Sequence, residues 1–351
     1  MKKLYQIGIW GQFGDGVNKI ADGQAVRTTI ITEELKARYG EENIMVVNTN
    51  NWRKHPLRFL LRTLRLNAKC RKVVIFPADN GFKVGVPILN FSNAFYRREL
   101  YDVVIGGYLP DLLKRKPVYL KMLKKYRALF VQTPNLQTDL EAFGLDKIYI
   151  LSNLKRLNCV KAEETAVNRD PQVKVCTMCR ITETKGIAYA IDAVKAANEA
   201  LGGSFIHLDI YGIVAPEYQE TFDGLLATHG DFVTYGGVVD FDKTADTLRN
   251  YFLMLFPTYY YGEGFPGNVV DAYNAALPMV ATNWNYNSDV IHDGENGILV
   301  PIKDVDALRD GILALYRDRE RAHEIALNNI RAAQEYTPDR VLAKFYEFMD
   351  M

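Results

Sequence analysis

The chain has 351 residues, 48% of them hydrophobic and 24% charged, with a formal net charge of +1. That balance fits a globular protein long enough for two ordinary domains and excludes a disordered or fibrous chain. No apolar run approaches the ~20 residues that a membrane-spanning helix needs, and Met1–Gly8 lacks the long apolar core and cleavage site of a secretory signal, so a cytoplasmic location is expected.

The first half alternates strand and helix patterns. Leu4–Trp10 reads as a strand, Gly11–Gly16 as a glycine-rich turn, and Gly23–Tyr39 as an amphipathic helix. Short β-rich runs follow at Asn43–Asn48, Val73–Pro77, Asp102–Ile105, Ala128–Gln132 and Ile148–Leu151, with helical segments between them such as Asn135–Phe143. Repeated βα units imply a parallel sheet with helices on both faces. The turn has the spacing G-x-x-G-x-G rather than the dinucleotide fingerprint.

Charge is unevenly divided along the chain. Residues 1–155 hold 26 Lys and Arg against 13 Asp and Glu, and the remainder holds 43−26=17 against 42−13=29. Two basic stretches stand out. Arg53–Lys72 has eight cations and no acid, mixed with leucines, and Lys114–Arg127 has seven cations and no acid. Read as basic amphipathic helices, they suit an anionic membrane surface; the plainer reading is a solvated face over a core-packing stripe. Nucleic acid is not expected as a partner, because aromatic residues do not interleave with the cations.

From Lys155 to Pro171 the pattern lapses into a polar stretch, read as a linker. A second alternating set then starts. Strands are expected at Val173–Met178, His207–Tyr211, Phe232–Tyr235, Phe252–Phe256, Met279–Thr282 and Gly297–Val300. Helices fit Gly186–Leu201, Pro216–His229, Lys243–Asn250, Asn268–Leu277, Val305–Asp318 and Arg319–Tyr336, with a last helix at Pro338–Met351. The division expected is a first domain over 1–160, a second over 171–337, and a terminal helix over 338–351 that packs back on the first.

Cys176 and Cys179 form a C-x-x-C, but on a strand these positions point to opposite faces, and no second pair exists. They are read as structural. Asp304 and Asp306 form a D-x-D, yet Asp304 stands where a helix N-cap belongs. No metal is expected.

The richest stretch is Tyr261–Ala272. A carboxylate, Glu263, and the turn Gly264-Phe265-Pro266-Gly267 lie where a strand ends and a helix begins, with Asp271 placed in about the first helical turn. Unpaired N–H groups and the positive dipole end suit a phosphate there, and carboxylates accept hydrogen bonds from sugar hydroxyls.

Glu263-Gly-Phe-Pro followed by Asp271 resembles the Glu-x7-Glu signature of retaining GT-B glycosyltransferases of family 4, with Asp in place of the second Glu. The similarity extends to Ala276–Thr282, to Asp293–Pro301 and upstream to Arg180–Gly186, so it spans roughly 175–310. The resemblance implies an α/β fold of GT-B type, with two doubly wound, Rossmann-like domains facing a cleft. It implies transfer of a hexosyl group from a nucleotide-diphosphate sugar such as a UDP-sugar to a saccharide or lipid-linked saccharide, in capsule, exopolysaccharide or O-antigen (lipopolysaccharide) synthesis. The enzyme would need no cofactor and would be peripheral on the inner face of the plasma membrane. The alternative is a catalytically silent nucleotide-sugar-binding scaffold.

The resemblance also implies residue roles. Arg180 and Lys185 hold the donor diphosphate, and Glu263 contacts the transferred sugar and the reacting centre. Asp271 binds the ribose, one methylene shorter than the family's Glu. The donor is further lined by Gly264, Phe265, Pro266, Gly267 and Asn268, where Pro266 has no N–H to give, and by Gly14 of the first turn, with Asp15 on the acceptor side. Many family members carry a first-domain His near the sugar; the corresponding stretch here, 103–108, has none.

Overall fold

The computed structural model describes residues 4–13, 23–158 and 160–351. The chain divides into two units, 1–155 with 338–351, and 156–337.

The first unit runs β1 (Tyr5–Gly11), α1 (Gly23–Tyr39), β2 (Ile44–Asn48), α2 (Pro56–Lys69), β3 (Cys70–Phe76), α3 (Asp79–Tyr96), β4 (Glu99–Val103), α4 (Leu109–Arg115), α5 (Val118–Leu123), β5 (Ala128–Val131), α6 (Pro134–Glu141) and β6 (Ile148–Ile150). The six strands form one sheet, all pairs parallel, in the order β2-β1-β3-β4-β5-β6. On one face Ile9, Val74, Phe76 and Phe130 pack against Val26, Ile30 and Leu35 of α1. The same cluster takes in Leu342, Phe345 and Phe348 from the chain's last helix, Pro338–Asp350. Lys72, on β3, donates to the carbonyls of Phe348 and Met349 at 2.9 and 2.8 Å, a buried cation at a helix C-terminus, where the dipole favours it.

The other face is covered by α2 and α3. Trp10 donates to Thr63 at 3.0 Å and lies edge to face with Phe59. α3 contains Pro87, which cannot donate to the carbonyl four residues back; the hydroxyl of Tyr119 donates to that carbonyl, Lys83 O, at 3.2 Å. A Cβ at Gly85 would come within 2.6 Å of the Trp10 ring, so glycine lets the helix approach β1.

The two basic stretches are less regular than expected. Of the first, Arg53 and Lys54 lie in a 3-10 turn and Pro56–Lys69 is α-helical, while Arg71 and Lys72 lie on β3. The second breaks into α4 and α5 around Lys116 and Pro117, because a residue before proline is driven out of the helical region.

The second unit runs β7 (Val173–Met178), α7 (Ile187–Leu201), β8 (Ile206–Tyr211), α8 (Gln219–His229), β9 (Val233–Gly237), α9 (Thr244–Leu248), β10 (Leu253–Phe256), α10 (Gly267–Asn274), β11 (Met279–Thr282), β12 (Ile298–Val300), α11 (Val305–Arg317) and α12 (Arg319–Ala333); the terminal helix of the first unit is then α13. Its parallel sheet has the order β12-β11-β10-β7-β8-β9, which, counted within the unit, is the 3-2-1-4-5-6 arrangement of dinucleotide-binding domains. The order reverses between β7 and β10, and ligands of such sheets bind at the carboxyl ends of the strands at that point. The stretch 156–171 runs along this unit: Tyr316 donates to Pro171 O at 2.7 Å and Arg169 pairs with Glu320 at 2.5 Å.

Candidate donor site at the exits of β7 and β10

β10 is a buried run, Leu253-Met-Leu-Phe256, paired with β7 on one side and β11 on the other. At its exit the chain meets the loop that leaves β7. Gly186 has φ +75°, and a Cβ there would come within 2.2 Å of Pro257 O; only glycine allows that approach. Tyr259 N donates to Thr184 O at 2.8 Å, joining the two loops through the backbone. Lys185 is thereby held over the turn that carries Glu263.

The ammonium of Lys185 donates to Glu263 Oε2 at 2.6 Å, and Thr258 Oγ1 donates to the same oxygen at 2.8 Å. The two charged side chains are 15% and 9% exposed, and Thr258 is fully buried. Nζ also stands 5.1 Å from the centre of the Tyr260 ring and 5.7 Å from that of Phe256, within cation–π range. Burial pulls the ammonium pKa down, but the Glu263 carboxylate more than offsets this and leaves it above its ordinary value. The pair is therefore a cation and an anion in a low-dielectric pocket, where each acts more strongly than in water.

α10 starts at Gly267, behind Pro266. Asn268 Nδ2 donates to Met178 O at 3.0 Å, tying the helix start to the last residue of β7, while its Oδ1 is buried with no hydrogen-bond partner. Phe265 is buried edge to face against Tyr336, so the Gly264–Gly267 turn is anchored by an aromatic side chain. Asp271 is buried one turn further along. The arrangement offers a cation, a carboxylate and the amide end of a helix within one strand-end crevice, a set suited to an anionic ligand that also carries hydroxyls.

Residues 172–318 match the family model described as Glycosyl transferases group 1. This stretch is therefore similar to the group 1 glycosyl transferases. Over 187 residues the chain is 30% identical to the phosphatidyl-myo-inositol mannosyltransferase of Mycobacterium leprae, a match that covers 52% of this chain and 48% of that protein; it thus spans about half the length of the curated relative. Two solved structures resemble it along almost the whole chain. Sucrose-phosphate synthase of Thermosynechococcus elongatus superposes with a TM-score of 0.78 at 15% identity, covering 98% of each chain. HepE of Anabaena, solved in complex with UDP, superposes with a TM-score of 0.75 at 14% identity, covering 98% of this chain and 99% of that one. The fold is GT-B.

The sequence-derived residues fall into four groups. Lys185, Glu263, Gly264, Phe265, Pro266, Gly267 and Asn268 stand at the β7 and β10 exits. Arg180, two residues beyond the end of β7, is exposed, and no ion pair joins it to Glu263 or to another described residue. Asp271 lies past the first turn of α10, contrary to its expected place, because the helix begins at Gly267 and holds no acid in that turn; a favourable helix dipole does not account for it. Gly14 and Asp15 lie outside the described residues.

Asp304 caps α11, accepting from Ala307 N at 2.9 Å, and Asp306 pairs with Arg309 at 2.5 Å. No group of three metal-ligating side chains occurs among the described residues. Sequence reasoning missed Thr258, the first polar residue after the β10 run, and Asn285, treated below.

Proposed function

We propose that the chain is a retaining, metal-independent hexosyltransferase that moves a sugar from a nucleotide-diphosphate donor, with UDP as the nucleotide, to a saccharide or lipid-linked saccharide in capsule, exopolysaccharide or O-antigen synthesis. The Lys185–Glu263 pair at the strand-order reversal is the observation that supports it best. In this reading Lys185 and Arg180 hold the diphosphate, aided by the amides of Gly264, Phe265, Gly267 and Asn268. Their stabilisation grows as the glycosidic bond breaks and the leaving diphosphate gains charge. Glu263 faces the transferred sugar, and Asp271 accepts from the ribose hydroxyls. A phosphate oxygen of the leaving group takes the acceptor's proton, so the absence of a His from 103–108 is no obstacle. The UDP complex of HepE and the mannosyltransferase relative make the donor class a natural choice.

The test is turnover of a panel of UDP- and GDP-sugars with saccharide and lipid-linked acceptors, the anomeric configuration of the product read by NMR. Transfer with retention is expected. Tight donor binding without transfer or hydrolysis would favour the scaffold reading, and neither binding nor transfer would end the proposal.

A membrane-surface acceptor is favoured by α2. One side of this helix, with Phe59, Thr63 and Leu66, is buried, while Leu57 and Leu61 stand 67% and 58% exposed among the exposed Arg58, Arg62 and Arg65. No described helix is long and apolar enough to cross a membrane, so binding would be peripheral. Replacing the three arginines by Gln should weaken co-flotation with phosphatidylserine vesicles by about a hundredfold, at about 1 kcal/mol per cation, and leave the melting temperature unchanged. Undiminished flotation would point to a soluble acceptor.

A further inference from the structure

We infer that Asn285 is a positioning residue that holds the turn presenting Glu263. The turn Tyr259–Gly262 bridges two fixed points. Behind it Thr258 is buried, and Thr282 Oγ1 hydrogen-bonds its carbonyl. Ahead of it α10 is pinned by Asn268. Between them the chain is open to solvent: Tyr260 and Tyr261 are 36% and 57% exposed. Within the turn, one backbone bond, Glu263 N to Tyr260 O at 3.1 Å, closes the loop.

Tyr259 N is tied to Thr184 O and Tyr260 N to Thr258 Oγ1, and the segment leaving β11 adds a further restraint. Asn285 Nδ2 donates to Tyr261 O at 2.9 Å and lies 3.4 Å from Tyr260 O and from Glu263 O. Trp284 Nε1 donates to Tyr260 O at 2.8 Å. Three carbonyls of the turn thus converge on one side-chain amide, and one of them belongs to Glu263 itself.

The backbone of Asn285 has φ +46°, a conformation that glycine adopts most easily and asparagine tolerates. Glycine would satisfy the backbone and leave the carbonyls unbridged; asparagine satisfies both. The residue acts through Glu263, whose carboxylate has to stay on Lys185 and Thr258; the hydrogen bonds of the Asn285 side chain go to the backbone of the turn. Its consequence for catalysis rests on the function proposed above.

Asn285→Gly separates backbone from side chain, because it keeps the positive φ and removes the amide. Asn285→Asp keeps the shape but turns an acceptor toward three carbonyls. Both are expected to lower kcat at least tenfold, the Asp variant more. The Kd for UDP should stay within twofold and the melting temperature within a few degrees. Hydrogen exchange of the 260–264 amides should accelerate in both. Wild-type exchange in Asn285→Gly would overturn the clamp, and so would wild-type kcat. A parallel loss of kcat, UDP affinity and melting temperature would reduce Asn285 to a general structural residue and also overturn it. If the unmodified protein transfers no sugar while exchange still accelerates in the variant, the clamp stands and the proposed function fails.

Discussion

Glu263→Gln is expected to lower kcat at least a hundredfold, about 2.7 kcal/mol of barrier, with donor affinity changed only a few fold. Gln keeps the shape and can still accept from Thr258 Oγ1, so the loss isolates the negative charge that Lys185 and the reacting sugar meet. Lys185→Met should cost as much activity, and each single variant should destabilise the fold by about 3 kcal/mol, since each strands a nearly buried partner charge. The double variant should regain stability, because neither charge remains, and regain no activity. Such a cycle measures the coupling of two side chains in contact. The pair should hold across the neutral range. The ammonium pKa lies above its ordinary 10.5, so its stabilising contribution is fully present below that pH and is lost only as pH rises through the higher folded value. If both single variants keep kcat within tenfold of the parent, the site lies elsewhere.

How much of this was legible beforehand depended on how local the signal was. The strands of both sheets announce themselves as short β-branched or apolar runs bounded by turn residues, so their existence was readable and only their ends moved. β4 begins at Glu99 rather than Asp102, because its first residues are paired with β3 from Lys72↔Glu99 onward, a tertiary fact. α3 gave no clear helical signal, since Gly81, Gly85 and Pro87 interrupt it; its stability comes from Tyr119 and Trp10, both remote in sequence. The run Arg53–Lys72 looked uniform because charge was counted without regard to the change from helical to strand periodicity at Cys70.

The site shows the same division. Lys185 and Glu263 were each suggested by a motif, but nothing in their 78-residue separation reveals that they meet at 2.6 Å. That contact follows from sheet order, which sets β7 beside β10, and from Gly186, which lets the loops touch. Asn285 carried a weak trace, the asparagine-rich run Asn283–Asn287 after a strand, whose side chains readily support turns. Its partners lie 24 residues upstream and could not be read from the sequence.

Asp102→Asn is expected to stabilise the protein, by an amount that grows with pH. Asp102 sits on β4 with no exposed surface, and both carboxylate oxygens are buried without a hydrogen-bond partner, as is the hydroxyl of the neighbouring Tyr126. Burial pushes its pKa well above the ordinary 3.8, so the fold favours the protonated form. Below pH 3.8 both the folded and unfolded chains carry the neutral acid and there is no penalty. As pH rises above that, the unfolded chain ionises while the folded one cannot, and stability falls by about 1.4 kcal/mol per pH unit until the folded pKa is reached. Asparagine has nearly the same shape and does not titrate. The two proteins should therefore differ least near pH 4, and above it the variant should gain about 1.4 kcal/mol for each pH unit below the folded pKa of Asp102. Denaturant unfolding followed between pH 4 and 7 provides the measurement. A difference that does not change with pH would mean that the carboxylate is ionised and paired in solution, and that the packing described around β4 is incorrect.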